Sequence, residues 1–277
     1  MKKVVMMANP KPKRIAIITG ASSGLGAEYA RQVDADRAPG QELDEIWLVA
    51  RRLDRLEALA ATLDTPCRIF DLDLTEENAL PILADELSEA DITVKLLVNS
   101  AGFGQVGAFA GIDADIHRSM LRLNVEVLTM LCDLVMPYLA EGSGIINVAS
   151  VAGFMPQTNF NVYAASKAYV IRFSRALNDE LKRRGIHVTA VCPGPMETEF
   201  FTVAGRSESS AEENQRIAGK IKSIGLEDPV KVVRLSLKHL QLGRDMAVTG
   251  IMGKLLRVVG KLVPHRFVLW AERMIGM

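Results

Sequence analysis

The fold is decided by a short stretch near the start of the chain, Arg14-Ile-Ala-Ile-Ile-Thr-Gly-Ala-Ser-Ser-Gly-Leu-Gly26. Its first six residues are mostly apolar and predict a buried strand. Gly20, Gly24 and Gly26 follow with GxxxGxG spacing, which allows a tight turn into a helix. At such a turn the backbone can approach a pyrophosphate, whose charge meets the helix N-terminus. The stretch therefore predicts a nucleotide-binding strand, turn and helix.

Five further apolar runs of strand length follow, at residues 45–50, 67–70, 95–98, 144–149 and 187–192. Helix-length amphipathic segments separate them, and strands joined by helical crossovers form parallel sheets. We predict an α/β fold: a single-domain, Rossmann-type, doubly wound parallel sheet with helices on both faces. The expected domain spans residues 14–250, after an N-terminal extension at 1–13 and before an amphipathic tail at 251–277.

Composition excludes several classes of function. The 277 residues are 49% hydrophobic, and 33 basic residues balance 33 acidic ones, so no basic field attracts nucleic acid. The four histidines and three cysteines lack metal-ligand spacing, and we expect no metal. No uncharged run approaches the roughly 18 residues of a spanning helix, so we expect a cytoplasmic protein with small-molecule partners.

A tyrosine and a lysine suggest proton chemistry. Tyr163 and Lys167 are four residues apart, so on a helix both side chains face one pocket. A nearby ammonium favours the phenolate, and we expect it to lower the pKa of Tyr163. Tyr163 could then act as a general acid or base. Ser150 stands thirteen residues upstream, at the end of the fifth predicted strand, where ligands of such sheets bind.

These motifs, taken in order, resemble the short-chain dehydrogenase/reductase family. The resemblance rests on the glycine turn, Asn99-Ser-Ala-Gly102, Asn124, Ser150, the Tyr163 and Lys167 pair, and Pro193-Gly194 through Thr198. Ser100 departs from the family, which usually has a second asparagine there. The resemblance implies an NAD(P)-dependent oxidoreductase that interconverts a ketone and a secondary alcohol. It assigns catalysis to four residues: Asn124, Ser150, Tyr163 and Lys167.

The resemblance also implies a set of cofactor-binding residues. At the end of the second strand, Arg51 and Arg52 replace the acidic residue of NAD-preferring relatives. Guanidinium groups suit a 2′-phosphate, which favours NADP(H), with NAD(H) as the alternative. Asp73 matches the adenine-contacting position, and Asp71 is its competitor. The expected cofactor-binding residues are Gly20, Ser22, Ser23, Gly24, Leu25, Gly26, Arg51, Arg52, Asp73, Leu74, Asn99, Ala101, Gly102, Tyr163, Lys167, Pro193, Gly194 and Thr198.

The candidate substrate-binding residues are mostly apolar. They suit a bulky, weakly polar ketone or alcohol, with a hydroxysteroid or ketosteroid as the leading guess. We expect residues 203–225 to form a substrate lid. Two alternatives remain open: a 3-oxoacyl thioester reductase, which would use Arg172 and Lys182 to Arg184, and a non-catalytic nucleotide-binding scaffold or redox sensor. The candidate substrate residues are Phe103, Val151, Phe154, Phe160, Met196 and Phe200.

The tail carries five Lys and Arg residues against one Glu, interleaved with apolar residues. This amphipathic pattern suits a membrane surface, but such segments more often pack on their own body, cover a pocket or join subunits. We therefore do not expect membrane contact. The family resemblance implies a homodimer or homotetramer, assembled through the helices that start near His117 and Asn159.

Overall fold

The structure, a computed structural model, describes residues 11–36, 42–89, 91–196 and 226–275. Its centre is one parallel sheet in the order β3-β2-β1-β4-β5-β6-β7. The chain crosses from one half of the sheet to the other between β3 and β4, beside β1. The strands are β1 (Lys13–Thr19), β2 (Glu45–Ala50), β3 (Cys67–Asp71), β4 (Ile92–Asn99), β5 (Gly144–Val148), β6 (His187–Cys192) and β7 (Met246–Val248).

Helices cover both faces of the sheet because alternate strand residues point to opposite sides. Ile15 and Ile17 pack under the helices of one face, whereas Ala16 and Ile18 pack under those of the other face. The predicted doubly wound fold is therefore confirmed. The helices are α1 (Gly24–Ala35), α2 (Leu53–Ala60), α3 (Ala79–Glu89), α4 (Ala114–Leu121), α5 (Leu128–Val135), α6 (Asn161–Leu181), α7 (Pro229–Gln241), α8 (Ile251–Leu262) and α9 (His265–Ile275).

Some elements differ from the prediction. Strand β4 begins three residues earlier than expected, at Ile92, and includes Asn99 as its last residue. Strand β7 was not predicted. A wider π-helical segment, Arg122–Val127, contains Asn124 and lies between α4 and α5. Within the described ranges, none of the helices is both long and apolar enough to cross a bilayer.

Candidate active site

The loop between β1 and α1 is shaped by its glycines. Gly20 and Gly24 adopt positive φ angles of 68° and 53°, which side chains other than glycine rarely tolerate. A Cβ on Gly26 would collide with the carbonyl oxygen of Gly20. Ser23 is the N-cap residue of α1, but its side chain accepts no hydrogen bond from the backbone of the helix. The first turn of α1 contains no acidic residue. The backbone N–H groups and dipole of this helix N-terminus therefore suit an anion.

Thr19 fastens this loop to the end of β4. Its Oγ1 donates to the Val98 carbonyl at 3.3 Å and accepts from the backbone nitrogens of Ser100 and Ala101, each at 3.1 Å. A Cβ on Gly20 would lie only 2.9 Å from the Ala101 nitrogen. The two loops that carry predicted cofactor residues are thus held in direct contact.

The two arginines after β2 occupy different positions. Arg52 bends back to the glycine loop, where its Nη2 donates to Ser22 Oγ at 3.0 Å and Ser23 Oγ at 2.9 Å. Arg51 has a largely exposed side chain, and its Nη1 lies 3.4 Å from Asp73 Oδ2. The two guanidinium groups therefore contact the loop after β1 and the loop after β3, respectively.

Asp73 is held in a turn after β3. Its Oδ1 accepts from the Thr75 backbone nitrogen at 2.9 Å and from Thr75 Oγ1 at 2.7 Å. Burial acts to raise the pKa of Asp73, but the bonds from Thr75 and the charge of Arg51 outweigh it, so the pKa is lowered. Asp73 does not cap a helix, because α3 begins only at Ala79. Leu74 is buried, whereas Asp71 is exposed.

A buried row of polar side chains lies under the ends of β4 and β5. Asn99 donates through Nδ2 to Asn147 Oδ1 at 2.9 Å, and Asn147 donates through Nδ2 to Ser174 Oγ at 3.0 Å. Asn99 Oδ1 is buried and accepts no hydrogen bond from the described residues. A buried acceptor without a donor costs free energy. A hydrogen-bond donor to Asn99 Oδ1 is therefore needed at the end of β4.

Lys167 is buried beside Tyr163 on α6. Its Nζ donates to the Val148 carbonyl at 2.8 Å and lies 5.6 Å from the centre of the Tyr163 ring. Burial lowers the pKa of Lys167 to about 8. Gly102 lies against the same ammonium, since a Cβ there would be 3.4 Å from Lys167 Nζ. The structure therefore brings the β4 loop, the end of β5 and α6 together around one cation.

The pKa of Tyr163 moves opposite to the prediction. Burial, the largest cause, raises the pKa, while a hydrogen bond with Ser150 acts to lower it. The expected lowering by Lys167 is wrong for this arrangement, because desolvation of the phenolate dominates. Ser150 also caps a short 3₁₀ helix, where its Oγ accepts from the Ala152 nitrogen at 3.1 Å. Tyr163 is consequently a neutral phenol, suited to donating a proton.

Asn124 ties the β4 loop to α6 from its position in the π-helical segment. Its Oδ1 accepts from the Phe103 nitrogen at 3.1 Å, and its Nδ2 donates to the Phe103 carbonyl at 2.9 Å and to Ser166 Oγ at 3.1 Å. Ser166 in turn donates to the Tyr163 carbonyl at 2.7 Å. Asn124 is fully buried. Its amide is therefore a fixed support for the loop and the helix that carry the site.

Aromatic and aliphatic side chains form one wall beside Tyr163. The Phe160 ring stacks on the Tyr163 ring with centroids 4.4 Å apart and an interplanar angle of 26°. Gly104 closes the wall, since a Cβ there would lie 2.8 Å from Tyr163 Cδ2 and 2.9 Å from Phe160 Cε2. The wall, which we call the Tyr163 cluster, comprises Phe103, Ile116, Met120, Ala152, Phe160, Val162, Tyr163 and Ala164.

The other predicted substrate and cofactor residues are dispersed. Phe154 packs against the core under β6 and β7, and Met196 packs on the sheet face covered by α1, α2 and α7. Val151 is buried, and its nitrogen donates to the Pro193 carbonyl at 3.1 Å. Gly194 lies against Glu227, to which a Cβ would approach within 2.8 Å. Thr198, Phe200 and the predicted lid at 203–225 lie outside the described residues.

Sequence reasoning missed three contributors to the site. Thr19 lies in the first quoted stretch, and Ser166 lies between Tyr163 and Lys167. Only the fold shows that their hydroxyl groups form hydrogen bonds to other segments of the site. Gly104 gave no signal, because its close approach to Tyr163 depends on packing between β4 and α6. A small residue two positions after Gly102 would have been the available hint.

Metal and thiol chemistry have no support in the described part of the chain. Within it, His, Cys, Asp and Glu residues form no group of three or more able to hold a metal ion. The three cysteines are free, and burial raises the pKa of Cys67 to about 11 and those of Cys132 and Cys192 to about 12. Such thiols are protonated near neutral pH and are weak nucleophiles.

A family model described as short chain dehydrogenase matches residues 14–209, which is more than half of the chain. The chain belongs to the short-chain dehydrogenase family. This short-chain dehydrogenase is therefore an NAD(P)-dependent oxidoreductase that acts on CH–OH groups.

Three relatives illustrate the range of this family. Sulfoacetaldehyde reductase 2 of Chromohalobacter salexigens is 36% identical over 208 residues, covering 72% of this short-chain dehydrogenase and 79% of the relative. A short-chain dehydrogenase from Sphingobium yanoikuyae in complex with NADPH superimposes with a TM-score of 0.70 at 28% identity, covering 94% and 96% of the two chains. The bulky-bulky ketone specific alcohol dehydrogenase from Comamonas testosteroni has a TM-score of 0.68 at 26% identity, covering 94% of each chain.

Proposed function

We propose that this short-chain dehydrogenase interconverts a bulky, apolar ketone and its secondary alcohol with NADP(H), using Tyr163 as the proton donor or acceptor. The observation that carries the proposal is the Tyr163 cluster. A neutral phenol stands there between a buried ammonium and a wall of aromatic and aliphatic side chains. An apolar substrate that fills this wall would bring its carbonyl oxygen to Tyr163 and Ser150.

The proton chemistry follows from the surroundings of Tyr163. NADP(H), when bound, supplies the hydride in reduction and accepts it in oxidation. In reduction, the Tyr163 hydroxyl donates its proton to the oxygen that becomes the alcohol, and Ser150 donates a hydrogen bond to the same oxygen. Lys167 stabilises the phenolate that remains on Tyr163 and can return a proton to it, because its pKa of about 8 lies near neutrality.

The residues present fit a dinucleotide with a 2′-phosphate. The glycine loop and the open N-terminus of α1 suit the pyrophosphate. Arg51 and Arg52 place two guanidinium groups directly after β2, where the sequence has no acidic residue, and the nearby Asp73 carboxylate pairs with Arg51 at 3.4 Å. Asp73, fixed by Thr75, is the proposed adenine contact. The Sphingobium yanoikuyae structure, which contains NADPH, supports the same preference.

The apolar wall suits a bulky substrate, and the Comamonas testosteroni alcohol dehydrogenase is, by its name, specific for bulky-bulky ketones. A ketosteroid is the first substrate to test. The relative that reduces sulfoacetaldehyde, by its name, acts on a small anion. Apart from Tyr163 itself, the members of the Tyr163 cluster offer only apolar surface, which suits an anion poorly.

The 3-oxoacyl thioester alternative is less well supported. Lys182–Arg184 form a turn beyond the C-terminal end of α6, whereas Tyr163 lies in its first turn. A helix of 21 residues is about 30 Å long, so these cations lie far from the substrate wall. They are therefore poorly placed to receive a carrier at the mouth of the site.

A homo-oligomer is the proposed assembly. Leu121, Met130 and Tyr169, on α4, α5 and α6, are large side chains that remain exposed on one side of the sheet. Tyr169 stacks on Phe173 and shares a 2.9 Å hydrogen bond with Thr129, so this surface is ordered as well as apolar. Apolar helix faces of this kind suit association of identical subunits.

The test is consumption of NADPH and NADH, followed by near-ultraviolet absorbance, with a panel of carbonyl compounds. The panel comprises a ketosteroid, a bulky aromatic ketone, sulfoacetaldehyde and a 3-oxoacyl thioester. The proposal predicts turnover of the first two with NADPH preferred. Faster turnover of sulfoacetaldehyde or the thioester would overturn the substrate class, and preference for NADH would overturn the argument from Arg51 and Arg52.

A further inference from the structure

The two tail helices are fixed to the body through one face each. Helix α8 packs with small residues inward: a Cβ on Gly253 would lie 3.0 Å from Val151 Cγ1, and one on Gly260 would collide with the carbonyl oxygen of Phe154. Helix α9 is held by Glu272, whose Oε2 accepts from the Thr158 nitrogen at 3.1 Å and from Thr158 Oγ1 at 2.8 Å. Both contacts lie on the loop between Ser150 and α6.

The opposite face of α8 is apolar, and no other part of the described chain covers it. Residues 251, 255, 258 and 262 recur at the spacing of one helical face, roughly opposite Gly253 and Gly260. Apolar side chains of this size are usually buried. Here these four residues and a neighbouring methionine are between 46% and 88% exposed. The exposed side chains are Ile251, Met252, Leu255, Val258 and Leu262.

Helix α9 repeats this arrangement. Phe267, Trp270 and Met274 lie on one face and are 49%, 58% and 71% exposed. The face that carries Glu272 is turned to the body, so these three residues project away from it. We call the exposed apolar side chains of α8 and α9 together the tail face.

Basic residues border the tail face. On α8, Lys254 and Lys261 lie beside the apolar row, and on α9, Arg266 and Arg273 lie beside Phe267, Trp270 and Met274. The lone acidic residue of the two helices, Glu272, is bonded to Thr158. The chain has a formal net charge of zero, so these cations are a local feature of the tail. An apolar face with cations along its border is complementary to a surface that is apolar and negatively charged.

We infer that the tail face docks the enzyme on the surface of a membrane containing anionic lipid, with α8 and α9 lying in the plane of the interface. The described part of the body does not cover this face, because the inward faces of both helices are packed on it and the outward side chains remain exposed. A second copy is disfavoured, because a two-fold contact would set the same cations against each other. The contacts along the tail thus favour lipid over self-association, and this inference departs from the expectation from sequence.

Tryptophan fluorescence of the full-length wild type provides the measurement. The chain has two tryptophans: Trp47, which is fully buried, and Trp270, on the tail face. Vesicles of equal parts phosphatidylcholine and phosphatidylserine should shift the emission to shorter wavelength, and vesicles of phosphatidylcholine alone should not. A Trp270→Phe variant should show no shift. Flotation of the same mixtures measures the bound fraction.

Two variants separate the apolar and the charged contributions. Leu255→Ser with Leu262→Ser removes exposed leucines and keeps Trp270, and it should weaken vesicle binding at least about tenfold. Lys254→Gln with Lys261→Gln should weaken binding to the anionic vesicles by about tenfold. Leu242→Ser is the matched control, because Leu242 is 55% exposed at the end of α7 and belongs to neither α8 nor α9. It should bind like the wild type.

Several results would overturn the inference. They are equal binding to both kinds of vesicle, no binding to either, and a Trp270 that acrylamide cannot quench before lipid is added, which would show that protein already covers it. Turnover of a water-soluble ketone should be unchanged in the leucine variant, because these residues are not members of the Tyr163 cluster. The vesicle result therefore stands or falls independently of the substrate proposed above.

Discussion

Replacing Lys167 with methionine should stabilise the protein near neutral pH while abolishing its activity. The ammonium is buried, and its pKa falls from 10.5 to about 8. That difference corresponds to about 3 kcal/mol of unfavourable free energy for the charged form. Methionine removes this cost but leaves the Val148 carbonyl without its donor, which costs about 1–2 kcal/mol. Lys167→Met should therefore be about 1–2 kcal/mol more stable at pH 7.

The sign of this difference should reverse in alkali. Between about pH 8 and 10.5, the unfolded chain holds a proton on Lys167 that the folded chain has released. The stability contributed by Lys167 therefore rises with pH across this window. The methionine variant lacks this rise, so its advantage should shrink and then become a disadvantage on the order of pH 9 to 10.

Equilibrium urea unfolding of both proteins at a series of pH values measures the effect. Groups that titrate in both proteins cancel in the difference between them. Lys231→Met is the matched control, because Lys231 is an exposed lysine on α7 and its replacement removes no buried ammonium. A Lys167→Met variant that is less stable at pH 7, with a difference independent of pH, would refute the reasoning.

Three further predictions concern other parts of the site. Arg52→Ala should weaken NADPH binding about ten- to hundredfold and NADH binding little, measured by fluorescence titration, because a charged contact to a 2′-phosphate is lost; equal losses would contradict the assignment. Gly104→Ala should lower turnover without affecting NADPH binding, because the added Cβ displaces the Tyr163 ring. Gly111→Ala is the control: Gly111 has open space around it, so this variant should behave like the wild type in the same assay. Asn124→Ala should lower the free energy of unfolding in urea by about 2–4 kcal/mol, since it leaves buried backbone groups of the β4 loop without partners; a smaller loss would show that the π-helical segment relaxes around the gap.

Most of the sheet and of the site could be predicted from the sequence, because apolar runs mark the strands and the polar site residues directly follow them. Buried parallel strands such as β1 and β2 are continuous apolar runs, which are easy to recognise. The first half of β4 alternates buried and half-buried residues up to Lys95, so the continuous apolar run starts later than the strand does. Strand β7 is only three residues long, too short for any periodic signal.

The remaining misses depend on tertiary packing. The direction of the Tyr163 pKa depends on how deeply the ring is buried, which spacing to Lys167 does not reveal. Arg51 and Arg52 looked equivalent in sequence, but the structure turns one to the glycine loop and the other to Asp73. The π-helical segment around Asn124 arises where the helix must place its amide against the β4 loop.

The central claim, that the Tyr163 hydroxyl delivers the proton, is tested most directly by comparing two hydroxyl deletions on one helix. Tyr163→Phe and Tyr169→Phe are assayed for NADPH consumption with the best ketone of the panel and for NADPH binding. Tyr169 is exposed six residues further along α6 and serves as the control. The account predicts that Tyr163→Phe loses at least about a hundredfold in kcat with NADPH binding unchanged, while Tyr169→Phe turns over normally. Near-normal turnover by Tyr163→Phe would contradict it.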